Sequence, residues 1–129
     1  MENYRKLYER ALEARENAYA PFSGFKVGAA LLAEDGDIYT GVNIENSSYG
    51  ATICAERTAF VKAISEGCRK FKAIAVTAGH QDEALPCGIC RQFMYEFAPQ
   101  LEVITGTDVD KLNVRTLEEL LPSGFRLDK

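Results

Sequence analysis

No apolar run in this chain approaches membrane-spanning length, basic residues are not in excess, and the 129 residues include one histidine and four cysteines. Each shortage closes off a class of function. A helix crossing a bilayer needs about 20 consecutive apolar residues, and the opening "MENYRKLYERALEARENAY" is too charged for a signal peptide. A cytoplasmic protein with no membrane partner is the expectation. The formal net charge is −4, and the basic residues are interspersed with acids. A nucleic-acid polymer is therefore not the expected partner, since such binders present a basic patch or stripe. Four cysteines in a reducing compartment suit thiols or metal ligands better than a disulfide framework. With no internal repeat, low-complexity tract or linker, residues 1–129 read as a single domain around one core.

The apolar pattern then suggests the elements. Tyr4, Leu7, Tyr8, Ala11, Leu12, Ala14 and Ala18 have helical spacing, which predicts an amphipathic helix over 2–19. Pro21 and Gly24 break it. "FKVGAALLA" and "IYTGVNIEN" read as a hairpin turning at "EDGD", and residues 54–66 as a helix ended by Gly67. "FKAIAVTAG" is a strand of the kind buried on both faces. Pro86 opens a helix to about Phe97, "LEVITG" is another buried strand, and "VRTLEELL" is a last helix. Alternation of helix and strand after the hairpin predicts parallel later strands. The expected architecture is a three-layer α/β/α sandwich with a mixed sheet.

Chemistry concentrates in "TICAERTAF" and "PCGICRQ". Cys87 and Cys90 form a C-x-x-C at the start of a helix, where residues three apart share a face. Alone this spacing also fits a redox dithiol. Cys54 opens another helix 33 positions earlier. Both helices follow strands, so both N-termini should emerge at the same end of the sheet. Helix dipoles there favour thiolates, which helps three of them share a cation. Three protein ligands are the count of a catalytic zinc with one open position. Glu56, two residues past Cys54, can then act as general acid and base without ligating the metal. Three thiolates leave a divalent ion at net −1. Arg57 and Arg91 are the candidates to offset that charge by hydrogen bonding to sulfur. A structural zinc would want a fourth ligand, for which Cys68 and His80 are the other candidates.

"CAE" followed by "PCGIC" resembles the signature of the zinc-dependent nucleoside and nucleobase deaminases. Within them the chain is similar to the small, homotetrameric, three-cysteine cytidine deaminases of pyrimidine salvage. The resemblance runs in order through "YAPFSGFKVGAALL", "GVNIENSSYGATICAERTA", "PCGICRQ" and "LLPSGF". It implies Cys54, Cys87 and Cys90 as ligands of one Zn²⁺ per subunit, and Glu56 as the catalytic proton shuttle. It implies Asn43 and Glu45 as the pair that holds the ribose hydroxyl and Phe25 as an aromatic against the pyrimidine. It also implies Phe125 as a residue that reaches a neighbouring subunit's site in a homotetramer. The chain departs from the pattern at Ile89, where a smaller residue is common, and in the variable stretch around Gly50.

The implied reaction is hydrolytic deamination of cytidine and 2′-deoxycytidine to the uridines and ammonia. Three rivals remain at this point. A deaminase of a cytosine-nucleoside antibiotic such as blasticidin shares the zinc motifs. A polynucleotide editor is disfavoured by the acidic charge. A non-catalytic, zinc-stabilised binding module would bind the metal without turnover.

Overall fold

A computed structural model describes residues 2–80 and 82–127. Helix α1 (Glu2–Arg15) precedes strands β1 (Gly28–Ala33) and β2 (Ile38–Val42). Helix α2 (Ala55–Ser65), strand β3 (Phe71–Thr77), helix α3 (Gly88–Tyr95) and strand β4 (Glu102–Gly106) follow. Strand β5 (Leu112–Thr116) and a short helix α4 (Leu117–Leu120) complete the order. The sheet runs β2-β1-β3-β4-β5. Among the five strands, β3 and β4 pair parallel; β1 is antiparallel to both β2 and β3, and β4 to β5.

Period-two alternation sends successive side chains to opposite faces. On one face Ala30, Ala73, Ala75 and Ile104 pack against Leu7, Tyr8 and Ala11 of α1. On the other, Leu31, Ile74, Val76 and Val103 pack against Ala59, Phe60 and Ala63 of α2 and Met94 of α3. The result is the expected α/β/α sandwich with a mixed sheet.

Three boundaries differ from the sequence reading. Helix α1 stops at Arg15 rather than residue 19. The Tyr19 backbone bonds to Asn43 O and receives the Glu45 N–H, which a helical residue could not do. Helix α3 starts two residues after Pro86 and is shorter than expected. The segment read as the helix "VRTLEELL" is half strand: residues 112–116 form β5, antiparallel to β4. The later strands are therefore not all parallel.

Two glycines fix the helix that matters most for the site. Gly67, at φ +98°, closes α2 while its N–H bonds Ile64 O and the Cys68 N–H bonds Ala63 O, a Schellman ending. A Cβ on Gly41 would lie 2.5 Å from the Ala55 carbonyl oxygen and 2.5 Å from the Ala59 nitrogen. Only glycine lets the first turns of α2 lie this close to β2.

Candidate active site

Cys54 and Cys87 are the N-cap residues of α2 and α3, both extended, and Cys90 lies in the first turn of α3. Neither N-cap side chain caps its helix, so the sulfurs remain available. The three Sγ atoms lie within 4.8 Å of one another, and those of Cys54 and Cys87 are 3.9 Å apart. A tetrahedral zinc binding sulfur at about 2.3 Å sets its sulfurs about 3.8 Å apart, so the cluster fits such an ion. Its electrostatics fit as well. The Cys54 thiol is held below the ordinary value, first by a hydrogen bond from Cys90 and then by Arg57 and Cys87. Cys90 is pushed up, as the donor to Cys54 and by burial. One thiolate thus keeps a neighbour protonated; a soft divalent cation would let all three ionise.

Cys68 and His80 stand apart from the cluster. The Cys68 thiol lies 3.8 Å from Lys70 O, and His80 Nδ1 lies 2.9 Å from Thr107 O. Among the described residues, the metal-ligand group has three members.

Glu56 is only 4% exposed. Burial pushes its carboxyl up to about 7, with the Cys54 charge adding to the effect. A carboxyl poised near neutrality can both take and give a proton. Arg57 Nη2 lies 3.8 Å from Cys54 Sγ and 3.3 Å from Thr52 O, and its Nε is buried without a hydrogen-bond partner. Arg91 is placed differently. It donates to Pro86 O (2.7 Å) and Leu120 O (2.8 Å), tying the α3 start to α4 rather than to a sulfur.

Cys54, Glu56 and Cys87 open onto a cleft of about 400 Å³. Phe25, Val27 and Asn43 form one side of it, and Glu83, Ala84 and Leu85 belong to the loop before Cys87. Residues 43–45 run extended between Tyr19 and Ile53 through paired bridges at Ile44. Alternation therefore puts Asn43 and Glu45 on one side and Ile44 on the other. The Asn43 amide donates to Phe25 O (2.8 Å) and accepts from Val27 N (2.9 Å). An amide can make twice that number of bonds, so half its capacity remains for a ligand. Glu45 Oε1 accepts from the backbone of Phe22 (2.9 Å) and Ser23 (3.2 Å), and Oε2 accepts from the Ser23 hydroxyl. Glu45 does not line the cleft, nor does Phe125, which is 65% exposed. Ile89, 66% exposed, is not among the residues that line the cleft either. Sequence reasoning missed Thr52, Glu83, Ala84 and Leu85. Among these only the position of residues 83–85 just before "PCGIC" was a signal.

Comparison with known proteins agrees with this geometry. The sequence model described as "Cytidine and deoxycytidylate deaminase zinc-binding region" matches residues 1–107. Cytidine deaminase of Sporosarcina psychrophila is 51% identical over 121 residues, 93% of this chain and 89% of that protein. A crystal structure of cytidine deaminase from Burkholderia pseudomallei superimposes with a TM-score of 0.88 at 47% identity, covering 93% of this chain and 97% of that one. For cytidine deaminase from Mycobacterium tuberculosis the TM-score is 0.85 at 39% identity, over 97% and 98% of the chains. On the sequence match and on the three-thiol cluster with its buried glutamate, the chain belongs to the cytidine and deoxycytidylate deaminase zinc-binding family.

Proposed function

We propose that the protein deaminates cytidine and 2′-deoxycytidine hydrolytically to uridine and 2′-deoxyuridine with release of ammonia, a step of pyrimidine salvage. The observation that carries this reading is a buried carboxyl two residues from one member of a three-thiol cluster, at the wall of a nucleoside-sized cleft. Cys54, Cys87 and Cys90 would hold one Zn²⁺. When bound, that ion supplies the Lewis acidity that makes a water nucleophilic at neutral pH.

The chain's own part is proton traffic and positioning. Glu56 takes a proton from the attacking water and delivers it to N3 of the base as a C4–O bond forms. It then takes the hydroxyl proton at C4 and delivers it to the amino group. The C4–N bond breaks, ammonia leaves, and C4 becomes a carbonyl with N3 still protonated. Arg57 offsets thiolate charge at Cys54. Phe25, half-exposed in the cleft wall, offers a face for the pyrimidine, and Asn43 with Glu45 would hold the ribose. Among the described residues, the cleft lining contains Glu56 and Glu83 but no lysine or arginine, which favours an uncharged nucleoside over its 5′-phosphate.

The assembly belongs to the same proposal. Phe125 is too exposed to be a core residue and lies off its own cleft. Tyr19, Ile44 and Ile53 are bridged together and exposed, and Phe22 packs edge-on against the exposed Tyr49 with ring centroids 6.4 Å apart. Exposed apolar strips of this kind mark interfaces. They support a homotetramer in which Phe125 closes a neighbour's cleft. No helix among the described residues is long and apolar enough to cross a membrane, and four free cysteines suit the cytoplasm.

The test is the ultraviolet absorbance change on deamination, with cytidine, 2′-deoxycytidine, deoxycytidylate and blasticidin assayed side by side. Turnover of the two nucleosides well above the others is expected. A preference for deoxycytidylate or blasticidin would overturn the substrate assignment. Stoichiometric zinc with no turnover of any of the four would point to a binding module.

A further inference from the structure

The loop between β3 and α3 carries Cys87 and one wall of the cleft, yet it has little backbone support. Among the described residues, no backbone–backbone hydrogen bond involves residue 80 or residues 82–86. What fixes the loop is side chains, and Glu83 makes the largest set. Its Oε2 accepts from the Thr105 hydroxyl, from Asn113 Nδ2 at 2.8 Å and from Arg115 Nη1 at 3.3 Å. The β4–β5 register explains how three donors meet at one oxygen. Thr105 pairs directly with Asn113, and Val103 with Arg115, so residues 103, 105, 113 and 115 share the face that carries α2 and α3. Arg115 Nη1 also reaches Thr105 Oγ1 at 3.1 Å, which closes the network. Charge-assisted bonds of this kind are the strong ones.

The link from Glu83 to the site is short and stiff. Ala84 and Leu85 line the cleft with it. Pro86 has a fixed φ and restricts Leu85 to extended conformations, and Cys87 is itself extended. A shift at Glu83 is thus passed along the chain to the sulfur rather than absorbed.

We infer that Glu83 is a positioning residue, whose clasp on β4 and β5 sets both the cleft wall at Ala84–Leu85 and the place of Cys87. It acts through the loop and needs no contact with the reacting atoms. The kinetic part of this inference rests on the deaminase reading; the metal-release part does not.

The test compares Glu83→Ala, Glu83→Gln and wild type in the zinc-loaded protein. Three readouts are taken: kcat and KM with cytidine, the rate of zinc loss to a competing chelator, and hydrogen exchange of residues 82–88. Glu83→Ala should raise KM about 10-fold with kcat within about 3-fold, since misplaced binding groups cost rate steeply while Glu56 on α2 is untouched. Zinc release should quicken about 3- to 10-fold, at the low end for outer groups around a metal, and exchange in 82–88 should rise. Glu83→Gln keeps an acceptor oxygen and should recover most of each effect. If zinc release and local exchange in Glu83→Ala match wild type, the inference is overturned whatever the substrate. It is also overturned if only the melting temperature falls while KM, zinc release and local exchange do not change. Faster zinc release and exchange in a protein that turns over no cytosine nucleoside would sustain the clasp and overturn the deaminase reading instead.

Discussion

On the face covered by α1 the strands present small side chains, Ala30, Ala73 and Ala75, with Ile104. On the face covered by α2 and α3 the same strands present Leu31, Ile74, Val76 and Val103. The polar groups differ more than the apolar ones. Under α1, the Tyr8 hydroxyl donates to Gly106 O at 2.8 Å, so the Thr77 hydroxyl 2.8 Å away must donate to Tyr8. Thr77 Oγ1 in turn accepts from Gly79 N at 3.0 Å. Among the described residues, no buried side-chain donor there lacks a partner. Under α2 and α3 lie a carboxyl held near neutrality, a Cys54 thiol held down beside a Cys90 thiol pushed up, and an arginine Nε with no partner. Buried groups left incomplete by their own chain mark where something from outside belongs. One face is finished by folding; the other is finished by metal and substrate.

The sharpest way to test this division is Glu56→Gln. The side chain keeps its size and no sulfur is lost, so zinc content and melting temperature should stay at or above wild type. Turnover should fall by about 10⁴-fold or more, the upper end for a general acid/base group, because the proposed mechanism has Glu56 serve two successive transfers. Steady-state kinetics with metal analysis would show it, and near-wild-type kcat would remove Glu56 from the mechanism. The next effect is best measured by changing the substrate, since Asn43→Ala would also release the backbone of Phe25 and Val27. A site built around a hydroxyl leaves its polar groups unpaired when that hydroxyl is missing. A cytidine lacking its 3′-hydroxyl, or free cytosine, should lose about 10⁴-fold in kcat/KM, the lower end for a site that hydrogen-bonds a substrate hydroxyl, while 2′-deoxycytidine is accepted. Free cytosine turning over as fast as cytidine would detach Asn43 and Glu45 from the sugar.

The finished face and the incomplete face were not equally legible in the sequence. The cysteines, Glu56 and the ends of α2 could be placed because each carries a local signal: a helix start at Cys54 and Gly67 at its close. Strand β5 could not. Its residues are intermediate or exposed in burial, so no apolar alternation marked it, and "VRTLEELL" kept enough leucine to resemble a helix. A better signal was present. Thr116 and Glu119 form a capping box, which places the helix start at Leu117 and frees Val114 and Arg115 for a strand. Missing β5 meant missing Glu83, because Asn113 and Arg115, two of its three partners, lie on that strand. Arg91 failed for another reason: adjacency to Cys90 in sequence says nothing of where a long side chain reaches, and its donors go to two carbonyls.

A smaller effect separates the chain from its assembly. Phe125→Ala should raise KM for cytidine about 10- to 100-fold, corresponding to the loss of about 1.5–3 kcal/mol of aromatic burial. Zinc content should not change. Kinetics run with light scattering give the check: a fully active monomer would refute both the tetramer and the placing of Phe125 at a neighbour's cleft.

The smallest effect belongs to the α1 face, and there it should appear in stability alone. The Tyr4 hydroxyl donates to Glu102 Oε1 across the α1–β4 contact. That bond, with burial and the Glu102 charge, pushes the Tyr4 phenol up from 10.0 to about 12. A raised value means that the folded state holds the proton more tightly than the unfolded chain. The resulting stability is fully present below pH 10 and is lost as pH rises from there toward 12. Two pH units correspond to about 2.7 kcal/mol. Tyr4 is partly solvated, and screening reduces this to ~1 kcal/mol. Tyr4→Phe should therefore lower unfolding free energy by about 1 kcal/mol at pH 8. In denaturant titrations that difference should shrink between pH 10 and 12. At pH 8 its kcat, KM and zinc content should equal those of wild type. A loss of kcat in Tyr4→Phe without a loss of stability would break the division between the two faces.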